Sequence, residues 1–172
     1  DNNTYIVNNQ NTYKIMSDKE KFEKDLSHGN WGEKVIMMYL WCQGMEFKGF
    51  NDDYKYDIKM YSNKYKKEVL WEVKTDVYPE DTGNMAIEIR YKGNPSGISH
   101  TKAEWFAYYY RDIPFRNVWM IKVDDLKNII KKNSFPITMG GDDNQSQLVL
   151  IPREKFKEKF LIDTIKLNKL EE

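Results

Sequence analysis

Along residues 69–74 apolar and polar positions alternate. Val69, Trp71 and Val73 fall on one face of a strand, and Leu70, Glu72 and Lys74 on the other. Two segments before it, 45–50 and 56–61, also read as strands. The turns at Asn51-Asp52-Asp53 and Ser62-Asn63-Lys64 are short enough for an antiparallel meander whose third strand covers 66–74. A helical period governs 31–43, where Val35, Ile36, Tyr39, Leu40 and Cys42 recur, with Asn30 as cap and Gly44 as stop. A shorter helix is predicted over 19–26, capped by Ser17 or Asp18 and ended near Gly29. Before it lies a polar, asparagine-rich arm in which Tyr5-Ile6-Val7 hints at a strand.

After the meander, 85–91 alternates as a fourth strand with Ala86, Glu88 and Arg90 on one face. Residues 92–99 hold two glycines, a proline and two serines and read as a loop. Thr101 is placed to cap a helix running to residue 111 and carrying Trp105, Phe106, Tyr108 and Tyr109; Pro114 breaks the chain after it. A strand over 118–123, a helix over 125–132 capped by Asp124, and a loop over 135–144 follow, then a strand over 148–151 and a charged helix over 153–160. The predicted class is mixed α/β: helix, three-strand meander, helix, strand, with a mixed central sheet flanked by helices and further helices at both ends. No repeat or linker divides the 172 residues. They are expected to form one domain, with a core over about 31–123, an arm and helix over 1–30, and helices and a strand over 124–172.

Composition narrows this little. Hydrophobic residues make up 40% and aromatic residues 15%, enough for a packed core. The 27 basic and 27 acidic residues cancel, so any contact with nucleic acid depends on local patches, for which Lys64–Lys67 and 127–132 are the candidates. Cys42 is the single cysteine, which removes intrachain disulfides and cysteine zinc sites and favours an intracellular location. The longest apolar run is too short to span a bilayer, so no membrane partner is expected.

Chemistry concentrates on the alternating strand. A carboxylate and an ammonium two residues apart inside an apolar strand are costly to bury unless something binds between them. Asp57 stands near the start of the preceding strand, where hairpin pairing brings it opposite or diagonal to Glu72. Glu33 lies three, four and seven residues before Ile36, Met37 and Leu40, on the apolar side of its helix. Three acids and a lysine so placed suit magnesium, which takes few carboxylates plus waters and phosphate oxygens. The other reading of each residue is structural: an ion pair at a strand edge for Glu72 and Lys74, a turn for Asp57, a favourable helix-start charge for Glu33.

The pattern Asp57…Glu72-Val73-Lys74, with Glu33 on a preceding helix, resembles the PD-(D/E)XK nuclease superfamily over residues 31–123. Tyr56 stands where the family name has proline. The resemblance implies a restriction-endonuclease-like core and hydrolysis of phosphodiester bonds dependent on Mg²⁺ or Mn²⁺. Asp57, Glu72 and Glu33 would be the catalytic acids and metal ligands, and Lys74 the catalytic lysine. It implies a nucleic acid as partner, DNA favoured and branched or processed DNA among the candidates, and a homodimer where two strands are cut. An RNA endonuclease, or an idle domain of the same fold that binds nucleic acid or protein, are the alternatives. Residues 84–108 look like the phage- and virus-encoded, resolvase-like branch. In exonuclease-type members a glutamine and a tyrosine lie one helical turn apart; Glu104 and Tyr108 have that spacing here, without the glutamine.

Around this set stand accessory candidates. Glu88 is either a further ligand, a holder of Lys74, or a surface charge paired with Arg90 or a cross-strand lysine. Ser96, Ser99, Thr101 and Lys102 occupy a loop entering the predicted helix, a geometry that binds phosphate and that also serves simple capping. Tyr108 belongs to an aromatic stripe that reads mainly as core, with one or two rings free to stack on bases. His28 and His100 lack a partner at ligand spacing, and Asp142 and Asp143 read as a turn.

Overall fold

The computed structural model describes residues 5–8, 11–14, 31–51, 53–76, 82–111, 116–141 and 144–164. The helix expected over 19–26, the cap at Asn30, His28, and the Asp142-Asp143 pair lie outside them. A short antiparallel hairpin opens the described chain, β1 (Tyr5–Asn8) with β2 (Asn11–Lys14). Then comes α1 (Trp31–Cys42), stopped where Gly44 takes a positive φ of 87°. The meander follows as expected: β3 (Met45–Phe50), β4 (Ile58–Ser62) and β5 (Lys67–Asp76), antiparallel with Ile58 opposite Trp71.

After β5 the chain leaves this sheet for a second one. There β6 (Asn84–Tyr91) pairs with the two-residue β7 (Asn94–Pro95), and a single 3-10 turn covers Gly97–Ser99. The chain returns as β8 (Trp105–Arg111), parallel to β5, and turns back as β9 (Arg116–Lys122). Next come α2 (Val123–Lys132), β10 (Ile137–Gly140) and β11 (Ser146–Pro152). The short α3 (Arg153–Phe156), a second 3-10 turn and β12 (Leu161–Thr164) complete the described chain. The strand orders are β12-β9-β8-β5-β4-β3 in a six-stranded mixed sheet and β10-β11-β6-β7 in an antiparallel one.

Two cores cover the two faces of the six-stranded sheet. On one side α1 packs Val35, Ile36, Met37 and Leu40 onto Ile58, Met60, Val69, Trp71, Ala107, Tyr109 and Val118. On the other, the four-stranded sheet supplies Met85, Ile87, Val149 and Ile151 against Phe106, Tyr108, Trp119 and Ile121, with Leu126 of α2 and Phe156 filling the end. Alternation along β5 therefore turns Val69, Trp71 and Val73 toward α1, and Leu70, Glu72 and Lys74 toward the second sheet.

The helix predicted over 101–111 is a strand. Phe106, Tyr108 and Tyr110 face one core while Ala107 and Tyr109 face the other, so every position is apolar and the run has no period of two to read. Aromatic residues suit a strand covered on both sides. Thr101 caps no helix; its hydroxyl accepts the Ala103 N–H at 3.1 Å in a local turn. The parallel step from β5 to β8 is thus bridged by an excursion through the second sheet and not by the helix of the expected helix, three strands, helix, strand order. The fold is mixed α/β around a mixed central sheet.

Three smaller corrections follow. The loop over 135–144 contains edge strand β10, whose Ile137 and Met139 are exposed and give no buried alternation. The charged helix over 153–160 lasts four residues, gives way to a 3-10 turn, and hands the chain to edge strand β12 beside β9. Asp124 lies inside the first turn of α2, where its charge favours the helix start, and Lys122 occupies the cap position. Among the described residues no helix is long and apolar enough to cross a membrane.

Candidate active site

Pairing between β4 and β5 sets the first two acids side by side. Ile58 is opposite Trp71, and the Asp57 N–H donates to the Trp71 carbonyl at 2.9 Å, which carries the ladder one step further and brings Asp57 to Glu72. The Val73 N–H donates to Asp57 Oδ2 at 2.6 Å, fixing the aspartate against the strand that bears the glutamate. Both carboxylates line one cleft of about 580 Å³, together with Glu88, His100, Tyr54 and Tyr91. The cleft lies where the loop before β4 meets the β6–β7 hairpin of the second sheet.

Burial raises the proton affinity of both acids. Glu72 is pushed up to about 7, first by desolvation and then by the negative charge of Asp57; the Thr101 hydroxyl works against this, and Glu88 and Glu33 add further repulsion. Asp57 is pushed up to about 6 by desolvation, opposed by the Val73 N–H. Each of the two carboxylates is thus costly to ionise beside the other.

Lys74 lies two residues beyond Glu72 on the same face of β5, half-buried and opposite Tyr108 of β8. Neither Lys74 nor Glu33 lines the cleft. Glu33 stands in the first turn of α1, and its charge reaches Glu72 as a weak repulsion. The helix start is brought in by Gly32, since a Cβ there would fall on the Thr75 hydroxyl of β5. Among the described residues no three His, Cys, Asp or Glu side chains gather closely enough to hold a metal ion between them. The acid set is a close pair with two outlying acids. A pair of hard oxygen donors, each disfavouring its own charge without a counter-ion, fits a divalent cation that completes its shell with water and phosphate oxygens.

Glu88 is held in a way the sequence did not suggest. It pairs with neither Arg90 nor a lysine in the way expected; the Ser96 hydroxyl donates to one carboxylate oxygen and the Ser146 hydroxyl to the other, both at 2.5 Å. Gly97 packs against it so closely that a Cβ would lie 2.6 Å from the Glu88 carbonyl oxygen. Ser146 lies 58 residues away on β11, so only the fold reveals that clamp. A charged position between Ile87 and Ile89 was the available signal.

The other accessory candidates separate. With β8 a strand, Ser99, Thr101 and Lys102 do not lead into the expected helix, while Ser96 is the cap residue of the 3-10 turn over Gly97–Ser99 and lines the cleft. Thr101 is buried and its hydroxyl also reaches the Lys55 carbonyl at 3.1 Å, while Ser99 and Lys102 are exposed. Tyr108 is fully buried and its hydroxyl donates to Asp76 at 2.7 Å, anchoring the end of β5; burial and then Asp76 raise its pKa. Glu104 is not its helical partner but pairs with Lys67 at 2.5 Å. Tyr54, Tyr91 and His100 at the cleft rim escaped the sequence reading as a group, because they come from three separate segments: the loop before β4, the end of β6 and the turn after Gly97–Ser99.

No family model matches the chain, and no curated protein matches it. Among solved structures it is similar to a bacterial homing endonuclease, I-Ssp6803I, at 16% identity and a TM-score of 0.45, over 73% of this chain and 77% of that one. A likeness of that degree carries no argument about the site.

Proposed function

We propose that the chain is a divalent-metal-dependent nuclease that hydrolyses phosphodiester bonds, with DNA as the favoured substrate. The observation behind this is the Asp57–Glu72 pair: two neighbouring half-buried carboxylates, both with raised pKa, with Lys74 next on the same strand face. Asp57 and Glu72 would hold Mg²⁺ or Mn²⁺, with Glu33 as an accessory acid behind them. The bound ion supplies charge neutralisation at the scissile phosphate and a more acidic water.

This chain's own groups do the rest. The Val73 N–H keeps Asp57 in place as substrate enters. Lys74 donates to a phosphate oxygen or to the attacking water, where its positive charge counts most as negative charge builds in the transition state. The half-buried setting of the acids strengthens every such interaction.

The test is cleavage with Mn²⁺ or Mg²⁺ across single-stranded, duplex, flap and four-way-junction DNA and the RNA equivalents. Cleavage of at least one substrate is expected, reduced about a hundredfold or more in Glu72→Ala and in Lys74→Ala with the fold retained by circular dichroism. Unchanged cleavage in both variants would remove the site assignment. An idle binding domain of the same fold needs no cation, and calorimetric titration with Mn²⁺ separates it: no heat of binding, and no effect of Asp57→Asn, would favour it.

A further inference from the structure

The cleft is rimmed by more than its acids require. Tyr54 is 88% exposed, so its ring contributes little to either core. Its backbone nonetheless holds a positive φ of 60°, a costly conformation for a bulky residue. The loop is tied down around it: the Lys55 carbonyl accepts the Lys102 N–H at 2.6 Å and the Thr101 hydroxyl at 3.1 Å. Tyr54 is therefore a presented ring on a fixed loop. From the second sheet, Tyr91 ends β6 at the tight turn made by Lys92 and Gly93, whose φ values are 48° and 80°. The Lys92 ammonium lies 5.0 Å from the Tyr91 ring centroid, setting a cation beside that ring. Tyr54, Tyr91 and Lys92 all line the cleft that holds Asp57 and Glu72.

We propose that this cleft takes an unpaired stretch of nucleic-acid strand, with bases stacked on Tyr54 and Tyr91 while the backbone passes the Asp57–Glu72 pair. This rests on the nuclease reading and names its substrate class. In a duplex the base faces are stacked on one another, and only an unpaired segment offers them to protein rings. The cleft's volume of about 580 Å³ falls in the range that encloses small ligands, about 300–1,000 Å³, and cannot enclose a duplex. Stacking accepts any base, so the cleft selects for single-strandedness and not for sequence.

The structure also supplies a matched control. Trp41 is 60% exposed on α1, over the other face of the six-stranded sheet, an exposed aromatic ring away from the cleft and from the lysine patches.

The test is fluorescence anisotropy of the full chain in EDTA, so that cleavage does not consume the probe. The probes are a labelled non-self-complementary single-stranded DNA, its duplex, and the RNA of the same sequence. The single strand is expected to bind more tightly than the duplex. Tyr54→Ala and Tyr91→Ala should each weaken it about five- to tenfold or more, while Tyr54→Trp keeps affinity and Trp41→Ala changes nothing. Should Tyr91→Ala not fold, Tyr54→Ala decides alone. The RNA arm reports whether the sugar matters to the same stacking site. Duplex bound as tightly as single strand, or Tyr54→Ala binding like wild type, overturns the proposal. Cleavage of duplex with these results would leave the nuclease reading standing. Tyrosine-dependent single-strand binding without cleavage under any divalent ion would sink the nuclease reading and keep the cleft assignment. Absence of all binding overturns the cleft assignment and leaves the nuclease reading, which depends on the cation, to the cleavage test.

Discussion

The Val73 N–H donates to Asp57 Oδ2 at 2.6 Å, so the residue that separates Glu72 from Lys74 also fixes the aspartate beside them. Its side chain packs toward α1 while its amide serves the cleft. The spacing Glu72-Val73-Lys74 and the position of Asp57 are thus one structural fact. A one-residue slip of β5 would turn both charged side chains into the α1 core and remove the bond to Asp57.

The two raised carboxylates make stability depend on pH. Asp57 moves from 3.8 to about 6 and Glu72 from 4.5 to about 7, so between these limits the folded state binds more protons than the unfolded chain. Their contribution is fully present below about pH 4 and is lost as pH rises through about 6 to 7. Since each unit of raised pKa corresponds to about 1.4 kcal/mol, the pair lowers metal-free stability by several kcal/mol at pH 8 relative to pH 4. Thermal melts in EDTA are expected to give a lower Tm at pH 8 than at pH 5.5, a difference reduced in Asp57→Asn/Glu72→Gln. A wild-type Tm that rises over this interval, with no change in the double variant, would contradict the buried pair.

A divalent cation should reverse that penalty. Binding to the folded state alone stabilises by mass action, about 2.7 kcal/mol at a hundred times Kd. Mg²⁺ or Mn²⁺ added at pH 8 is expected to raise the Tm of the wild-type protein by several degrees, and to leave Asp57→Asn/Glu72→Gln unmoved. Glu33→Gln should retain most of the shift, because Glu33 stands outside the cleft. An equal shift in the double variant would place the cation elsewhere.

Gly32 governs how closely α1 meets β5. A Cβ at Gly32 would strike the Thr75 hydroxyl, which is itself buried with no hydrogen-bond partner among the described residues. Gly32→Ala should therefore cost about 1–3 kcal/mol by overpacking. Thr75→Ala should cost little, since it removes an unsatisfied hydroxyl; in combination it should recover part of the loss, because the Thr75 Cβ would still lie 2.8 Å from the new Cβ. Urea unfolding of the two single variants and the double checks this; additive losses would mean that the two residues do not meet.

How much of this was legible follows from burial. The meander and α1 show their periods because each has one face of a different character from the other. Asp57, Glu72 and Lys74 stood out for the same reason, as charges interrupting an apolar alternation. β8 was read as a helix because both its faces are covered, so Trp105 to Tyr110 carries no polar marker of orientation. β10 and β12 failed for the opposite reason: they are edge strands with largely exposed side chains, held by backbone pairing that leaves little trace in residue type. The cleft's rim was hidden by distance, since Tyr54, Tyr91 and His100 come together only after the second sheet folds against the first.

The clamp on Glu88 gives the last prediction. Ser96 and Ser146 each donate to one oxygen of the same carboxylate, and Ser146 is buried, so its hydroxyl has little water to turn to if Glu88 is lost. Ser146→Ala should destabilise by about 1.5–3 kcal/mol, the usual worth of a hydrogen bond to a charged group, and Ser96→Ala by a similar or smaller amount. Because both act through Glu88, each loss should shrink to a few tenths of a kcal/mol in a Glu88→Ala background, a coupling on the order of 1 kcal/mol. Denaturant unfolding of the double-mutant cycles measures it. If the serine variants cost as much without Glu88 as with it, their hydroxyls serve other partners and the carboxylate is not held by them.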